Sequence, residues 1–200
     1  CKALDNLKDN RSIHDLPNTA HLEGNSYRFS PRIDDISAGE DFCIDWKSLP
    51  DSIFQGGVVP MQASIGCPYD CAFCNFTKDH RLTYITPIDQ LIAELKDVSG
   101  RGARYVWFVD DNFRLGKGDL NSICQRMLDE DLKLKWMTFI RASTLKTVDV
   151  ELLQRAGCAE VQLGLESADP EMLQHMKKKA DPDLYDEVLQ KLLSGGINCS

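Results

Sequence analysis

The stretch from Thr86 to Val109 reads TPIDQLIAELKDVSGRGARYVWFV, and its two halves have different periods. Ile88, Leu91, Ile92, Leu95 and Val98 recur at i, i+3 and i+4, so residues 87–99 are expected to form a helix with one apolar face. Thr86 is the expected N-cap, and Pro87 takes the first helical position. From Arg104 to Val109 the chain runs through Tyr, Val, Trp, Phe and Val, the pattern of a buried strand. A helix that feeds a buried strand is one unit of a parallel sheet covered by helices.

The alternation extends in both directions. Val58 to Ile65 is expected to be a strand that ends at Gly66. Asp119 to Glu130 is expected to be a helix, with Leu120, Ile123, Cys124, Met127 and Leu128 on one stripe. Leu134 to Ile140 reads as the next strand, residues 148–156 as a short helix closed by Gly157, and Ala159 to Leu165 as a further strand. Helices are expected over 170–177 and 182–194, opened by Asp169-Pro170 and Asp181-Pro182, with a last strand starting beyond Gly195-Gly196. Folds of this kind place their chemistry at the C-terminal ends of the strands.

Composition narrows the function. The 200 residues are 42% apolar and 27% charged, which is globular rather than disordered. The longest unbroken apolar run is Tyr105 to Val109, too short to span a bilayer. With 23 basic against 31 acidic residues, net charge −8, nucleic acid is not the expected partner. Residues 1–57 mix His, Asn, Asp, Pro and Gly with single aromatics and read as an irregular connector, with a strand or hairpin arm at Asn25 to Pro31. A start at Cys1 and an end at Ser200, where a strand is beginning, suggest a piece of a longer polypeptide.

Eight cysteines divide into five scattered ones (Cys1, Cys43, Cys124, Cys158, Cys199) and three within eight positions: Cys67, Cys71 and Cys74. A chain with this much regular periodicity needs no disulfide framework, so the cluster is read as metal ligands in a reducing cytoplasm. The segment Gly66-Cys67-Pro68-Tyr69-Asp70-Cys71-Ala72-Phe73-Cys74 is C-x3-C-x2-C. Three thiolates on a tight loop suit three irons of a [4Fe–4S] cube and leave the fourth iron open. The residues alone also allow buried structural thiols on one helix face, or a zinc site completed by His80.

A C-x3-C-x-aromatic-C loop after the first strand of a parallel α/β chain resembles the radical S-adenosylmethionine (SAM) enzymes. Three more segments carry the resemblance over residues 58–200: Val109 to Phe113, Phe139 to Ala142, and Gly164 to Ser167 leading to Met176-Lys177. It is strongest for the subgroup in which a cobalamin-binding domain precedes the radical SAM domain. Ile33-Asp34-Asp35 through Leu49-Pro50 is similar to the connector of that subgroup, which makes residues 1–57 the tail of an upstream domain. The cobalamin signature D-x-H-x-x-G is not matched: Thr19 to Gly24 carries His21 and Gly24 but Thr where Asp belongs.

The resemblance implies an α/β fold of a particular kind, a partial (βα)6-type TIM-like barrel cut after about four βα units. It further implies that Cys67, Cys71 and Cys74 ligate a [4Fe–4S] cluster whose open iron chelates SAM, and that Phe73 flanks the adenine. Asp110, Asp111 and Asn112 fall where the family contacts the methionine amino group, although many members carry Gly-Gly-Glu there. Glu166, with Gln162 and Ser167 around it, corresponds to the ribose contact, and Arg141 to a contact for the SAM carboxylate. The implied activity is reductive cleavage of SAM to a 5′-deoxyadenosyl radical that abstracts hydrogen from a small-molecule or natural-product substrate. The electron would come from a donor such as flavodoxin or ferredoxin, with cobalamin-dependent methyl transfer or rearrangement following if that domain is present. The alternatives are a tRNA methylthiotransferase-like enzyme of the same family and a non-enzymatic zinc or iron–sulfur module.

Alternation supports part of this independently. Val161, Leu163 and Leu165 share one strand face, and Gln162, Gly164 and Glu166 the other. Polar residues on the inner face of a closed core are costly, which favours a wet or ligand-filled lumen there. Gln62 and Ser64 are expected to alternate in the same way. Lys177, Lys178 and Lys179 are read as cations complementing a helix C-terminus. Trp46, Trp107 and Trp136 are read as packing residues, and His14, His21 and His175 as having no partner at ligand spacing.

Overall fold

The computed structural model describes residues 2–10, 12–14, 16, 19–31, 44–75, 84–113 and 119–200. His80, Cys1, Cys43 and the Ile33-Asp34-Asp35 segment lie outside these. The chain forms two compact units, residues 1–38 and 39–200.

The first unit holds helix α1 (Lys2–Lys8) and a hairpin of β1 (Ala20–Glu23) and β2 (Ser26–Phe29), paired antiparallel in the region where a hairpin arm is expected. His14 and His21 stack edge to face with ring centroids 4.4 Å apart, a pairing their sequence spacing does not display.

In the second unit, β3 (Val58–Met61), β6 (Tyr105–Phe108), β7 (Lys135–Phe139), β8 (Cys158–Gln162) and β9 (Asn198–Cys199) form one parallel sheet in that order. Between them run α2 (Ile88–Gly100), α3 (Asp119–Asp129), the short α4 (Ala142–Leu145) and α5 (Val150–Arg155), and then α6 (Pro170–His175) and α7 (Pro182–Ser194). The Asp-Pro signals act as expected. Asp169 accepts from the amides of Glu171 and Met172, and Asp181 from that of Leu184, each with proline at the first helical position. Leu91, Ile92, Leu95 and Val98 of α2 are buried, as are Leu120, Ile123, Cys124 and Met127 of α3. They cover Val59, Met61, Val106, Phe108 and Trp136 of the sheet. Phe108, Phe113 and Trp136 make the aromatic centre, with centroids 4.5–5.9 Å apart. No helix among the described residues is long and apolar enough to cross a membrane.

Several expectations are corrected. Thr86 does not cap α2. The capping position is Pro87, without a side-chain bond, while Thr86 is buried and its amide donates to the Ala63 carbonyl. The strand expected over 58–65 breaks after Met61, and β4 (Ser64–Ile65) turns away to pair antiparallel with β5 (Tyr84–Ile85). Gln62 and Ser64 therefore do not share a lumen face: Gln62 is exposed and Ser64 is buried. Trp46 and Trp136 pack in the core, but Trp107 lies on the opposite sheet face from Val106 and Phe108 and is 40% exposed. Residues 45–54 are less irregular than their composition suggests. They form two 3₁₀ turns held by Arg101, whose guanidinium bonds Asp51 and the carbonyls of Trp46 and Leu49 and stacks 4.2 Å over Phe54.

Asp110 ties the break to the sheet. Its carboxylate accepts from the Ala63 amide at 3.1 Å and from the Ser64 hydroxyl at 2.5 Å, so the end of β6 anchors the turn after β3. Burial pushes its carboxyl up to about 6, against the pull of those hydrogen bonds. The native state then holds a proton that the unfolded chain has released, and stability falls as pH rises from about 4 to about 6 and is flat above that. The drop is on the order of 3 kcal/mol across that window. In Asp110→Asn, which has no proton to lose, urea midpoints measured between pH 4 and 7 are expected to show a shallower fall than wild type. Gly157, at φ +95°, ends α5 so close to the preceding strand that a Cβ there would stand 2.0 Å from the Leu134 carbonyl oxygen. Gly157→Ala is expected to lower unfolding free energy by roughly 2 kcal/mol or more; an unchanged urea midpoint would contradict this packing.

Candidate functional site

Three loops leave one edge of the parallel sheet, Asp110 to Phe113 after β6, Phe139 to Ala142 after β7 and Leu163 to Ser167 after β8, and the cysteine loop joins them from β4, which follows β3. Between them lies a cavity of about 180 Å³. Cys67, Cys71 and Cys74 all line it. So do Phe73, Asp111, Asn112, Arg141 and Glu166, which brings five of the eight expected cofactor-binding residues to the three thiols.

The other three stand apart from this lining. Asp110 faces Ala63 and Ser64 as described. Gln162 pairs with Phe139 in register, which places it on the same sheet face, but it does not line the cavity. Ser167 opens onto a neighbouring cavity of about 420 Å³ with Glu166, Tyr185 and Asp186, and its hydroxyl accepts from the Asp169 amide. The strict alternation expected over 161–166 stops at Gln162, where β8 ends, and Leu163 to Ser167 continue as tight turns. Glu166 itself is in the left-handed region at φ 65°. A non-glycine residue held there is a cost that its surroundings must maintain.

The thiols differ from the remaining cysteines in chemistry as well as place. Burial pushes the Cys67 thiol up, with the Tyr69 amide and the Arg141 charge pulling the other way. Cys124 is pushed up to about 12 and Cys158 higher by burial in the apolar core, so these two are inert packing residues. A metal at the cavity would reverse the burial effect on the lining thiols, because only the thiolate binds. No three Cys, His, Asp or Glu side chains among the described residues converge closely enough to share one ion. A multi-iron cluster gives each thiolate its own iron, whereas a single zinc holds its ligands about 2.3 Å from one centre.

Arg141 lies at the centre of the polar wall. It is 6% exposed; Nη1 donates to Cys71 Sγ at 3.3 Å, Nη2 donates to the Lys178 carbonyl, and the guanidinium stacks 3.8 Å over the Tyr69 ring. Its backbone amide donates to Asn112 Oδ1 at 3.1 Å. Two donors on this wall, Arg141 Nε and Asn112 Nδ2, are buried without a partner among the described residues. Buried orphan donors are costly, and an acceptor-bearing, anionic ligand would satisfy both. The donor set thus fits a thiolate-held cluster together with a carboxylate.

Sequence reasoning missed Lys178. Read as one of three cations complementing a helix C-terminus, it is 5% exposed, lines the cavity and pairs with Glu166 at 2.9 Å. The run of lysines does not single it out. The available signal is Gly164, where a Cβ would crowd Lys178 Nζ, Glu166 Oε1 and Phe139 Cζ, all within 2.9 Å. A glycine that opens a lumen face leaves room for something, and that something is the Lys178–Glu166 pair.

Comparison with known proteins bears on the family and the fold. The chain is 25% identical over 185 residues to an uncharacterized methyltransferase of Pyrococcus horikoshii, covering 90% of this chain and 40% of that protein. It is 28% identical over 142 residues to a tryptophan 2-C-methyltransferase of Streptomyces laurentii, covering 66% of this chain and 23% of that one. The fold matches the radical SAM methyltransferase TsrM of Kitasatospora setae, solved with cobalamin and a [4Fe–4S] cluster, with a TM-score of 0.76, 16% identity and coverage of 100% of this chain and 42% of that one. The cobalamin-dependent radical SAM enzyme OxsB matches with a TM-score of 0.70, 19% identity and coverage of 99% and 30%. The chain therefore spans less than half the length of each. Residues 61–200 match the Radical SAM superfamily, which uses a [4Fe–4S] cluster and SAM, and so the chain with its three thiols at the C-terminal edge of a parallel sheet belongs to that superfamily.

Proposed function

We propose that this chain supplies the cluster-binding and SAM-binding part of a radical SAM methyltransferase that works with cobalamin on a small-molecule substrate. The observation that carries the reading is the meeting, on the wall of one cavity, of three thiols with two buried donors that have no partner among the described residues. Methyltransferases among the relatives, and the cobalamin bound to TsrM, which shares the fold, support the finer reaction class.

When bound, the cluster and SAM supply one-electron cleavage chemistry; the residues of this chain hold and orient them. Cys67, Cys71 and Cys74 would bind three irons as thiolates and leave the fourth to SAM. Arg141 Nε and Asn112 Nδ2 are the donors available for a carboxylate, and Asp111, on the same wall, offers an acceptor for an ammonium. Glu166 offers carboxylate oxygens to vicinal hydroxyls, and the ring of Phe73, half exposed at the mouth, offers a face for a flat base. Phe73, Tyr69 and Phe139 supply the aromatic part of the lining, which would limit water around a bound ligand.

Anaerobic reconstitution of the full-length protein is expected to give about four irons per chain with absorbance near 400 nm, and SAM cleavage under dithionite. Cys71→Ala is expected to lose most of the iron and all cleavage. Stoichiometric zinc with no SAM turnover would overturn the reading.

A further inference from the structure

We propose that Lys178 is a positioning residue that aims the Glu166 carboxylate into the cavity and couples it to the cysteine loop, so that removing Lys178 weakens SAM binding without emptying the cluster site. This rests on the reading of the cavity given under Proposed function.

Lysine is almost never fully buried unless it is paired. Lys178 is flanked by Lys177 and Lys179, both at φ 53°, and these two left-handed turns rotate the middle side chain inward. Its ammonium donates to Glu166 Oε1 at 2.9 Å and stands 5.5 Å from the centre of the Phe73 ring, beside the last cysteine of the loop. Its carbonyl accepts from Arg141 Nη2, and two residues back the Met176 carbonyl accepts from the Ala72 amide at 2.9 Å. Outside the cavity, Lys177 Nζ lies 3.9 Å from Asp70 and Lys179 Nζ lies 6.0 Å from the Tyr69 ring centre. Residues 176–179 therefore clasp residues 69–73 along their length, and Lys178 is the member of the clasp that also reaches Glu166.

Glu166 needs that contact. Its backbone is in a conformation non-glycine residues avoid, and about a third of its side chain is open to solvent, so the Lys178 ammonium is what holds the carboxylate against rotation outward. With Oε1 engaged by Lys178, Oε2 remains for a ligand hydroxyl. Gly164 keeps the space in which the two side chains meet.

The test uses full-length protein reconstituted with iron and sulfide, with SAM affinity measured by calorimetry and iron content measured alongside. Lys178→Met is expected to weaken SAM binding about tenfold at unchanged iron content, and Lys178→Arg, which keeps the charge, to stay within about threefold of wild type. Because Lys178 acts through Glu166, adding Lys178→Met to Glu166→Gln is expected to cause no further loss, whereas a merely structural lysine would add its effect. Gly164→Ala is the second probe if Lys178→Met does not fold. Its Cβ would stand 2.8 Å from Lys178 Nζ and 2.9 Å from Glu166 Oε1, so the pair must shift from its place in the cavity with both partners present. Wild-type affinity in Lys178→Met or in Gly164→Ala, or additive losses in the double variant, overturns the proposal while leaving the cavity reading intact. A wild-type protein that holds iron but binds no SAM overturns the cavity reading and this proposal together.

Discussion

Parallel pairing is the constraint on which the rest of this molecule depends. Strands that all run the same way must be joined by crossovers, and the helices used as crossovers cover one face of the sheet. Each strand then ends on the same edge, so loops far apart in sequence become neighbours. The hydrogen bond from Arg141 to Cys71, 70 residues apart, exists only because β3, β6 and β7 lie side by side in chain order. The register fixes which residues meet. Thr138 opposite Val161 faces the helices, and Phe139 opposite Gln162 faces the other way.

The helices were legible because their signals are local. The apolar stripes of α2 and α3 and the Asp-Pro starts of α6 and α7 depend on residues three or four apart, and the structure follows them closely. Strand ends were less legible. The pattern over 58–65 looks continuous, but Asp110, 46 residues away from Ser64, holds a turn there through hydrogen bonds that no local pattern encodes. The same holds for Thr86, a good capping residue on its own, whose amide instead answers the Ala63 carbonyl.

At the candidate site the thiols were legible from spacing alone, and the acidic, amide and arginine residues from resemblance. Burial of Lys178 was not legible, because a charged residue declares its surroundings only through its partner, and Glu166 is 12 residues away across a helix. Residue type also misleads in the other direction. Asp110 and Asp111 are adjacent and identical, yet Asp111 lines the cavity and Asp110 is an anchor within the fold, since successive side chains at a strand end point to opposite sides.

Burial separates the two kinds of polar group that meet at this edge. Asp110 is buried, with both carboxylate oxygens bonded within the protein. Arg141 and Asn112 are buried and each keeps a donor unmatched among the described residues, although both already bond to other protein groups through their remaining atoms. A donor left over on each of these side chains is the property on which the proposed ligand contacts rest. The same logic sets the cavity thiols apart from Cys124 and Cys158. Those two are sealed in apolar core and held far from ionisation, whereas Cys67, Cys71 and Cys74 border open space beside a cation. What marks the site is therefore that two such donors meet three thiols around one cavity, and the parallel sheet is what keeps those positions fixed.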